Sequence, residues 1–250
     1  MRTAAILPVK RFTVAKQRLG PGVQASVRRQ LARAMVQDVL DALAQTPALE
    51  RTVVVTDEPA IAAAARAQGA VAIADAARAG QSAAVALGIE RALAEGFQRA
   101  LCIPGDCPAL DPADLRDLLS APARRREVVI VPDRHGTGTN GLLLTPPDVI
   151  APAFGPGSCA RHRSLAIGAG ASCRLERPPS LLLTPPDALA PSFGPGSCRR
   201  HLEHARAAGL HAVLAHVPSL ALDIDTPDDL DALAALSDRA PRTQALLARC

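Results

Sequence analysis

The stretch ALCIPGDCPALDPADLRDLL, residues 100–119, contains the unit from which the fold can be predicted. It opens with four apolar residues in a row, which is typical of a short strand buried on both faces of a sheet. Gly105 then allows a tight turn, and Asp111 followed by Pro112 marks a helix start, because aspartate caps the first N–H groups and proline suits the first helical position. The stretch therefore predicts a strand, a turn and a helix over Leu110–Leu119.

The same alternation of short apolar runs and helical periodicity continues on both sides of this unit. Short apolar strands joined by helices form parallel sheets that helices cover on both faces. We therefore predict one α/β domain of the doubly wound type, with its ligands beyond the carboxyl ends of the strands. The other predicted strands are Ala4–Pro8, Thr52–Val55, Ala70–Ile73, Val128–Val131 and Leu220–Asp225, and the other predicted helices are Ser26–Leu43, Asp57–Ala67 and Ser82–Leu93, the last with Ser82 as its N-cap.

The second half of the chain contains an internal repeat. Residues 142–162 and 181–201 are identical at 17 of 21 positions, at an offset of 39. Two copies are too few for a solenoid, so a tandem duplication inside one domain is the better interpretation. We predict a single domain over 1–236 that contains the duplicated units 142–180 and 181–219, and a C-terminal tail over 237–250.

Composition excludes several classes of protein. No apolar run approaches the ~18 residues of a membrane helix, and the first apolar stretch is too short for a signal peptide, which predicts a cytoplasmic protein without membrane contact. The six cysteines never show the two-residue spacing of a zinc half-site, so we expect free thiols. The net charge of +4 could suggest nucleic acid, but the chain has no Trp or Tyr and four Phe, too few for base-stacking platforms. A phosphorylated small molecule explains the mild basic excess equally well.

The segment LALDIDTPDDL, residues 220–230, carries a pair of carboxylates. On the predicted strand, a period of two places Asp223 and Asp225 on one face. Two neighbouring carboxylates at a strand end favour a hard divalent cation such as Mg²⁺. Thr226 is predicted to cap the following helix, with Asp228 and Asp229 as charges in its first turn.

Two further loops lie at predicted strand ends. IPGDCPAL, residues 103–110, presents Asp106 after a strand, and this residue could supply a third carboxylate to the site. The loop after the first strand carries Lys10, Arg11, Lys16 and Arg18, where the phosphates of a nucleotide would lie. The two lysines are the only ones among 28 basic residues, which favours a phosphate site at this loop. A solvated loop is the alternative interpretation.

Glycine and hydroxyl residues mark two candidate anion sites. RHGTGTNG, residues 134–141, could bring backbone N–H groups and hydroxyls to an anion, although a solvated turn explains it equally well. FGPGS, which occurs once in each repeat, has the same character, and its serine could cap a helix. His201 and His204 on the second copy's helix are interpreted as solvated surface residues, because no third metal ligand lies near them in sequence.

Taken in order, these motifs resemble those of the 2-phospho-L-lactate guanylyltransferases of coenzyme F-420 biosynthesis. The resemblance rests on LPVKRFTVAKQRL, IPGDCPAL, PDRHGTGTN, FGPGS-x-x-x-H and LALDIDTPDDL, and it covers residues 3–236. It implies the nucleotidyltransferase, or nucleotide-diphospho-sugar transferase, version of a Rossmann-like sheet. The implied reaction is attack by an acceptor phosphate on the α-phosphorus of GTP, with release of pyrophosphate.

The resemblance also implies roles for particular residues. Asp106, Asp223 and Asp225 match metal-binding carboxylates, which implies one or two Mg²⁺ ions, and Thr139 with the Gly and Ser of FGPGS matches positions that hold the acceptor. Lys10, Lys16 and Arg18 would offset the remaining phosphate charge. We expect Asp106, Lys16 and Arg18 to act in catalysis, and Lys10 to contact substrate.

Two departures from the family pattern leave questions open. The duplication supplies two acceptor segments, Gly155 with Ser158 and Gly194 with Ser197, and we favour the second because it runs directly into the acidic segment. Cys107 stands where an apolar residue is expected, so we predict a thiol beside the acceptor. The acceptor could be 2-phospho-L-lactate, phosphoenolpyruvate or 3-phospho-D-glycerate, and a homodimer is left open.

Two other functions compete with this prediction. One is nucleotidyl transfer to a molybdopterin or a sugar phosphate, although AILPVKRFTVAK lacks the glycine-rich loop with which those enzymes usually open. The other is a nucleotide-binding protein whose acceptor site the duplication has disabled. Three aspartates at strand ends argue against it, since a protein that only binds nucleotide has little use for them.

Overall fold

Seven strands form one mixed sheet in a computed structural model of the chain. The structure describes residues 1–12, 16–20, 23–76, 78–135, 138–175, 180–181, 214–215, 217–236 and 238–249. The spatial order is β3-β2-β1-β4-β6-β5-β7. β6 runs antiparallel to both of its neighbours, and every other neighbouring pair in this sheet is parallel. The strands are β1 (Thr3–Val9), β2 (Arg51–Thr56), β3 (Val71–Ile73), β4 (Arg99–Cys102), β5 (Glu127–Pro132), β6 (Thr139–Thr145) and β7 (Ser172–Leu175).

Helices cover both faces of this sheet, as the sequence predicts. α1, α2 and α4 pack on one face and α3 and α5 on the other. Two shorter helices, α6 and α7, follow near the carboxyl end of the chain, and β8 pairs with β9 as a separate two-stranded sheet. The bounds are α1 (Ala25–Ala44), α2 (Pro59–Ala67), α3 (Gln81–Ala94), α4 (Pro112–Ser120), α5 (Ser158–Gly168), α6 (Pro227–Ala234), α7 (Pro241–Leu247), β8 (Ser180–Leu181) and β9 (Leu214–Ala215).

The predicted elements of the first half are confirmed to within about two residues, with one error at a helix start. The side chain of Asp111 caps α4 by accepting a hydrogen bond from the N–H of Ala113, 2.8 Å away. By contrast Gly80, not Ser82, is the N-cap of α3. The Ser82 hydroxyl instead accepts a hydrogen bond from the N–H of Phe154 at 2.9 Å, so it ties the start of α3 to the FGPGS loop.

The core is a double layer that the alternation of side chains along the strands produces. In β1, Leu7 faces α1 while Ile6 faces α3, and both side chains are fully buried. α3 lies very close to the sheet at Gly88, where an added Cβ would come within 2.4 Å of Ile6 Cγ2. A glycine is therefore needed at this position of the helix for the sheet and α3 to pack.

The C-terminal segment packs against the domain instead of trailing from it as a tail. Asp38 on α1 accepts hydrogen bonds from the N–H of Arg242 and from both the N–H and the hydroxyl of Thr243, at 3.0, 2.9 and 2.6 Å. Burial raises the pKa of Asp38 despite these three hydrogen bonds. The carboxylate therefore anchors the start of α7 to the middle of α1.

Within the described residues, no helix is both long and apolar enough to cross a membrane.

Candidate active site

Four strand ends meet at one edge of the sheet: the carboxyl ends of β1, β4 and β5 and the amino end of the reversed strand β6. A cleft with two lobes opens there. The polar lobe has a volume of about 750 Å³ and the apolar lobe about 240 Å³. Both lobes are lined by Lys10, Lys16, Asp106 and Asp225. The polar lobe gathers most of the predicted site residues: Lys10, Lys16, Arg18, Asp106, Thr139, Gly155, Ser158, Asp223 and Asp225.

Lys16 lies where the two lobes join. Its Nζ is 2.9 Å from an oxygen of Asp106 and 3.1 Å from an oxygen of Asp225, and its side chain is 8% exposed. Burial by itself would lower the pKa of Lys16, but the two carboxylates outweigh it and the pKa is raised above its ordinary value. Arg18 reaches the other oxygen of Asp225 at 3.2 Å from a largely exposed position. Two of the three predicted phosphate-binding cations thus contact the carboxylates directly.

Asp223 lies in an irregular segment, so the strand predicted over Leu220–Asp225 is wrong. Pro218–Leu220 forms a short 3-10 turn instead. Beyond it, the N–H of Ile224 donates to the carbonyl of Asp106 at 3.0 Å, and the Ile224 side chain is fully buried. This single hydrogen bond replaces a strand ladder. The apolar residue still points inward and the aspartates on either side still face the cleft, which is why the sequence pattern resembled a strand.

The carboxylates crowd one another. Burial raises the pKa of Asp223, and the negative charge of Asp106 adds to that effect, while a hydrogen bond from Asn140 Nδ2 at 3.2 Å opposes it. Asn140 was not among the predicted site residues. Its Nδ2 also donates to the carbonyl of Leu220 at 2.9 Å, so Asn140 fixes the position of the segment that carries Asp223.

Hydrogen bonds hold the turn that follows Asp225, and Thr226 is the N-cap of α6, as predicted. Asp229 Oδ2 accepts hydrogen bonds from the N–H groups of Asp225 and Thr226, at 3.0 and 2.7 Å. Arg134 lies 2.6 Å from the other oxygen. Burial by itself would raise the pKa of Asp229, but these hydrogen bonds and the arginine lower it. Asp229 therefore positions the backbone of Asp225 and is not free to bind a ligand.

The carboxylates have the donor chemistry that suits a hard divalent cation, since all offer oxygen. In the described part of the chain, no three acidic, imidazole or thiol groups converge closely enough to hold an ion as they stand. The Lys16 ammonium lies between Asp106 and Asp225 instead. A cation that bound both of these carboxylates would therefore compete with Lys16.

On the far side of the polar lobe, three buried side chains form a directed hydrogen-bond chain. The N–H of Ala153 donates to His162 Nε2 at 2.9 Å, so in the neutral ring the proton is on Nδ1. Nδ1 then donates to Thr139 Oγ1 at 3.1 Å, and the hydroxyl of Ser158 donates to the same oxygen at 3.0 Å. Because Thr139 Oγ1 accepts two hydrogen bonds, its own hydrogen is left to donate to an anion in the cleft.

His162 is a site residue that the sequence analysis missed. The side chain of His162 is fully buried, and the ring of Phe154 packs edge-on against it with 4.9 Å between the ring centroids. Burial, with a smaller effect of the Arg161 charge, lowers the pKa of His162 to about 4. Its counterpart in the second repeat is His201, which we interpreted as a surface residue. The spacing in FGPGS-x-x-x-H could have identified His162, because Ser158 and His162 are four residues apart and therefore lie on the same face of a helix.

Of the two predicted acceptor segments, the structure describes the one in the first repeat. Gly155 and Ser158 both line the polar lobe. Ser158 is the first residue of α5 and does not cap it, since Gly157 holds the N-cap position with a φ of 72°. Gly194, Ser197, His201 and His204 of the second repeat lie outside the described residues. The preference for the second copy therefore stays a prediction.

The predicted contact between Cys107 and the acceptor needs correction. Cys107 is fully buried beneath the site, with Sγ 3.9 Å from the carbonyl of Leu220, and it does not line the polar lobe. Burial raises the pKa of this thiol well above its ordinary value, and the nearby aspartates add to the shift. Cys107 thus takes the apolar role expected of the residue after Gly105 and Asp106.

The apolar lobe was not predicted. Apolar side chains form most of its wall. Besides the charged residues that it shares with the polar lobe, it is lined by Arg11, Asp75 and the start of α3 at Gly80 and Gln81. The N–H of Phe12 donates to Glu58 at 2.7 Å, which fixes the backbone of Phe12 in the wall of this lobe.

Comparison with solved structures shows the fold. A Desulfovibrio desulfuricans protein assigned to the nucleotide-diphospho-sugar transferases matches with a TM-score of 0.58 at 17% identity, over 71% of this chain and 80% of its own. CMP:2-keto-3-deoxy-manno-octonic acid synthetase, solved with CTP, matches with a TM-score of 0.51 at 14% identity, over 95% and 99% of the two chains. The predicted nucleotidyltransferase fold is confirmed.

Comparison with known sequences shows the family. A family model described as "Guanylyl transferase CofC like" matches residues 3–175. The phosphoenolpyruvate guanylyltransferase of Conexibacter woesei is 45% identical over 237 residues, which cover 94% of this chain and 89% of the relative. That of Sphaerobacter thermophilus is 36% identical over 174 residues, 70% and 83% of the two chains. The chain therefore belongs to the CofC-like guanylyl transferase family.

Proposed function

We propose that this chain transfers the guanylyl group of GTP to the phosphate of phosphoenolpyruvate and releases pyrophosphate. The observation that carries the proposal is the two-lobed cleft, whose lobes meet at Lys16, Asp106 and Asp225. An apolar lobe suits a nucleobase, and a lobe with hydroxyl and glycine residues suits a small anionic acid. Relatives named phosphoenolpyruvate guanylyltransferases support the choice of acceptor.

The reaction needs alignment and charge neutralisation more than it needs a covalent nucleophile. An oxygen of the acceptor phosphate forms a bond to the α-phosphorus of GTP, the bond from that phosphorus to the bridging oxygen breaks, and pyrophosphate leaves. Lys10, Lys16 and Arg18 surround the junction of the lobes, where they would offset the charge of the phosphates. Thr139, Ser158 and Gly155 would hold the acceptor, with the Thr139 hydroxyl as donor to its anionic group.

We propose Mg²⁺ as the metal, held by Asp106, Asp223 and Asp225, because carboxylate oxygens are ligands that it prefers. When bound, the ion would neutralise charge on the triphosphate and on the leaving pyrophosphate. Asn140 and Asp229 keep the segment of Asp223 and Asp225 in place, through the hydrogen bonds described above.

The proposal is tested by pyrophosphate release from GTP and Mg²⁺ with phosphoenolpyruvate, 2-phospho-L-lactate and 3-phospho-D-glycerate supplied separately. We expect release with phosphoenolpyruvate, and loss of turnover in Asp223→Asn. Asp228→Asn is the matched control, since it makes the same change in the same segment at an exposed residue. Near-normal turnover in Asp223→Asn would contradict the assigned site. Absence of release with all three acids, in protein that binds GTP, would contradict the assigned acceptor class.

A further inference from the structure

The apolar lobe has the size and the chemistry of a pocket for one ring system. Its volume of about 240 Å³ is below the ~300–1,000 Å³ of pockets that enclose a whole drug-sized ligand, so it suits part of a nucleotide. Its apolar wall consists mainly of Pro8, Val9, Phe12, Met35 and Ala84. It opens to the polar lobe at Lys16 and Asp106. The phosphates of a nucleotide whose base lies in the apolar lobe would therefore extend into the polar lobe.

Asp75 is a carboxylate acceptor in the wall of this lobe. It follows β3, is 9% exposed, and accepts one hydrogen bond, from the N–H of Arg78 to Oδ1 at 3.2 Å. Oδ2 has no hydrogen bond or ion pair to any residue in the described ranges. The Arg78 side chain does not neutralise Asp75, because its Nε lies 2.6 Å from Asp57 instead. Most of the Asp75 side chain is thus out of solvent, and Oδ2 is left to accept a hydrogen bond from a ligand in the lobe.

The start of α3 places donors in the same lobe as this acceptor. Gly80, with a φ of 99°, is the N-cap of this 14-residue helix, and Gly80 and Gln81 both line the lobe. The first N–H groups of a helix have no partner within the helix. The bond from the N–H of Ala84 to the carbonyl of Gly80 is the first of the helical series, which leaves the N–H groups before it available.

We infer that the apolar lobe is a guanine-specific site in which the Asp75 carboxylate accepts hydrogen bonds from N1–H and the N2 amino group, while N–H groups at the start of α3 donate to O6. This inference rests on the proposed function for the presence of GTP. Guanine offers two adjacent donors next to an acceptor, which matches a carboxylate next to N–H groups. Adenine would place its N1 acceptor against the carboxylate, and uracil offers one donor between two acceptors. The arrangement therefore selects guanine over both.

The test is a change of base preference in Asp75→Asn, read both by binding of each nucleotide alone and by transfer to the acceptor. An amide presents one acceptor and one donor, so it matches xanthine, which has an oxygen in place of the N2 amino group. We expect GTP binding to fall ten- to hundredfold and XTP binding to rise, so that the preference inverts. Asp57→Asn is the control, because it disturbs Arg78 and should keep the wild-type ratio of GTP to XTP.

Retention of the wild-type preference for GTP over XTP in Asp75→Asn would overturn the inference. If the variant does not fold, ITP decides with the wild-type protein, since inosine lacks the N2 amino group. ITP should bind about tenfold or more weakly than GTP, and equal binding would overturn the inference. Binding without acceptor separates this outcome from failure of the proposed function, which would remove transfer but leave the base preference in place.

Discussion

Replacement of His162 by phenylalanine tests the directed hydrogen-bond chain on the far side of the polar lobe. The ring shape is preserved, but the N–H of Ala153 and the hydroxyl of Thr139 each lose a partner. A net hydrogen bond contributes about 1 kcal/mol, and a donor left unsatisfied adds about 1–3 kcal/mol. We expect the variant to lose about 2–4 kcal/mol of unfolding free energy at pH 7.

The pH dependence of this loss is the sharper part of the prediction. The folded-state pKa of His162 is about 4, below the ~6.5 of an unfolded histidine, so the unfolded chain binds a proton first as pH falls. His162 therefore costs the wild-type protein stability below pH 6.5, about 2 kcal/mol by pH 5. Phenylalanine does not titrate, so the deficit of the variant should shrink by that amount between pH 7 and pH 5.

Urea unfolding at pH 7, 6 and 5 measures both quantities, and His135→Asn is the control because His135 is exposed. Parallel pH profiles for the wild type and His162→Phe would refute the reasoning, since a buried neutral imidazole must produce a difference. In the transfer assay, KM for the acceptor should rise while KM for GTP stays the same, because the hydrogen bond from His162 no longer orients the Thr139 hydroxyl.

Three further predictions concern the cations, the packing and the C-terminal helix. Lys16→Met should lose transfer activity. Mg²⁺ should raise the melting temperature of this variant more than that of the wild type, because no ammonium competes for the carboxylates. An equal rise in both proteins would contradict the prediction. Gly88→Ala should cost about 1–3 kcal/mol in urea unfolding through its clash with Ile6, whereas Gly168→Ala, with open space around its Cβ, should be neutral or stabilising. Asp38→Ala should release α7, measured as faster proteolysis near the carboxyl end at unchanged cleavage elsewhere.

The elements that could be predicted are those whose local pattern agrees with their environment. Ala4–Pro8, and Thr52–Val55 after its first residue, are apolar because helices cover both sheet faces there, and such runs are strands in the structure. β6 was not predicted, since its first residues, Thr139, Asn140 and Gly141, are typical of a turn. Only its pairing with β4 and β5 makes that segment part of the sheet.

The site was predictable where a motif follows a strand and was not where burial decides. Asp106 was found because Gly105 and a strand precede it. Asp75 and His162 were missed because an isolated aspartate is common in turns, and a histidine on a helix is more often exposed. What makes both residues functional candidates is loss of solvent, which depends on contacts such as that between His162 and Phe154.

The reversed direction of β6 explains how the two halves of the polar lobe are held together. A parallel strand between β4 and β5 would bring its carboxyl end to the edge of the sheet where the cleft opens. The antiparallel strand β6 brings its first residues, Thr139 and Asn140, to that edge instead. Successive residues of a strand point to opposite faces and lie about 3.3 Å apart along it. Thr139 therefore joins His162 and Ser158 on one side, and Asn140 holds the segment of Asp223 on the other. One strand start thus fixes the distance between the predicted acceptor residues and the predicted metal ligands, so a substitution that shifts β6 by one residue should disable both together.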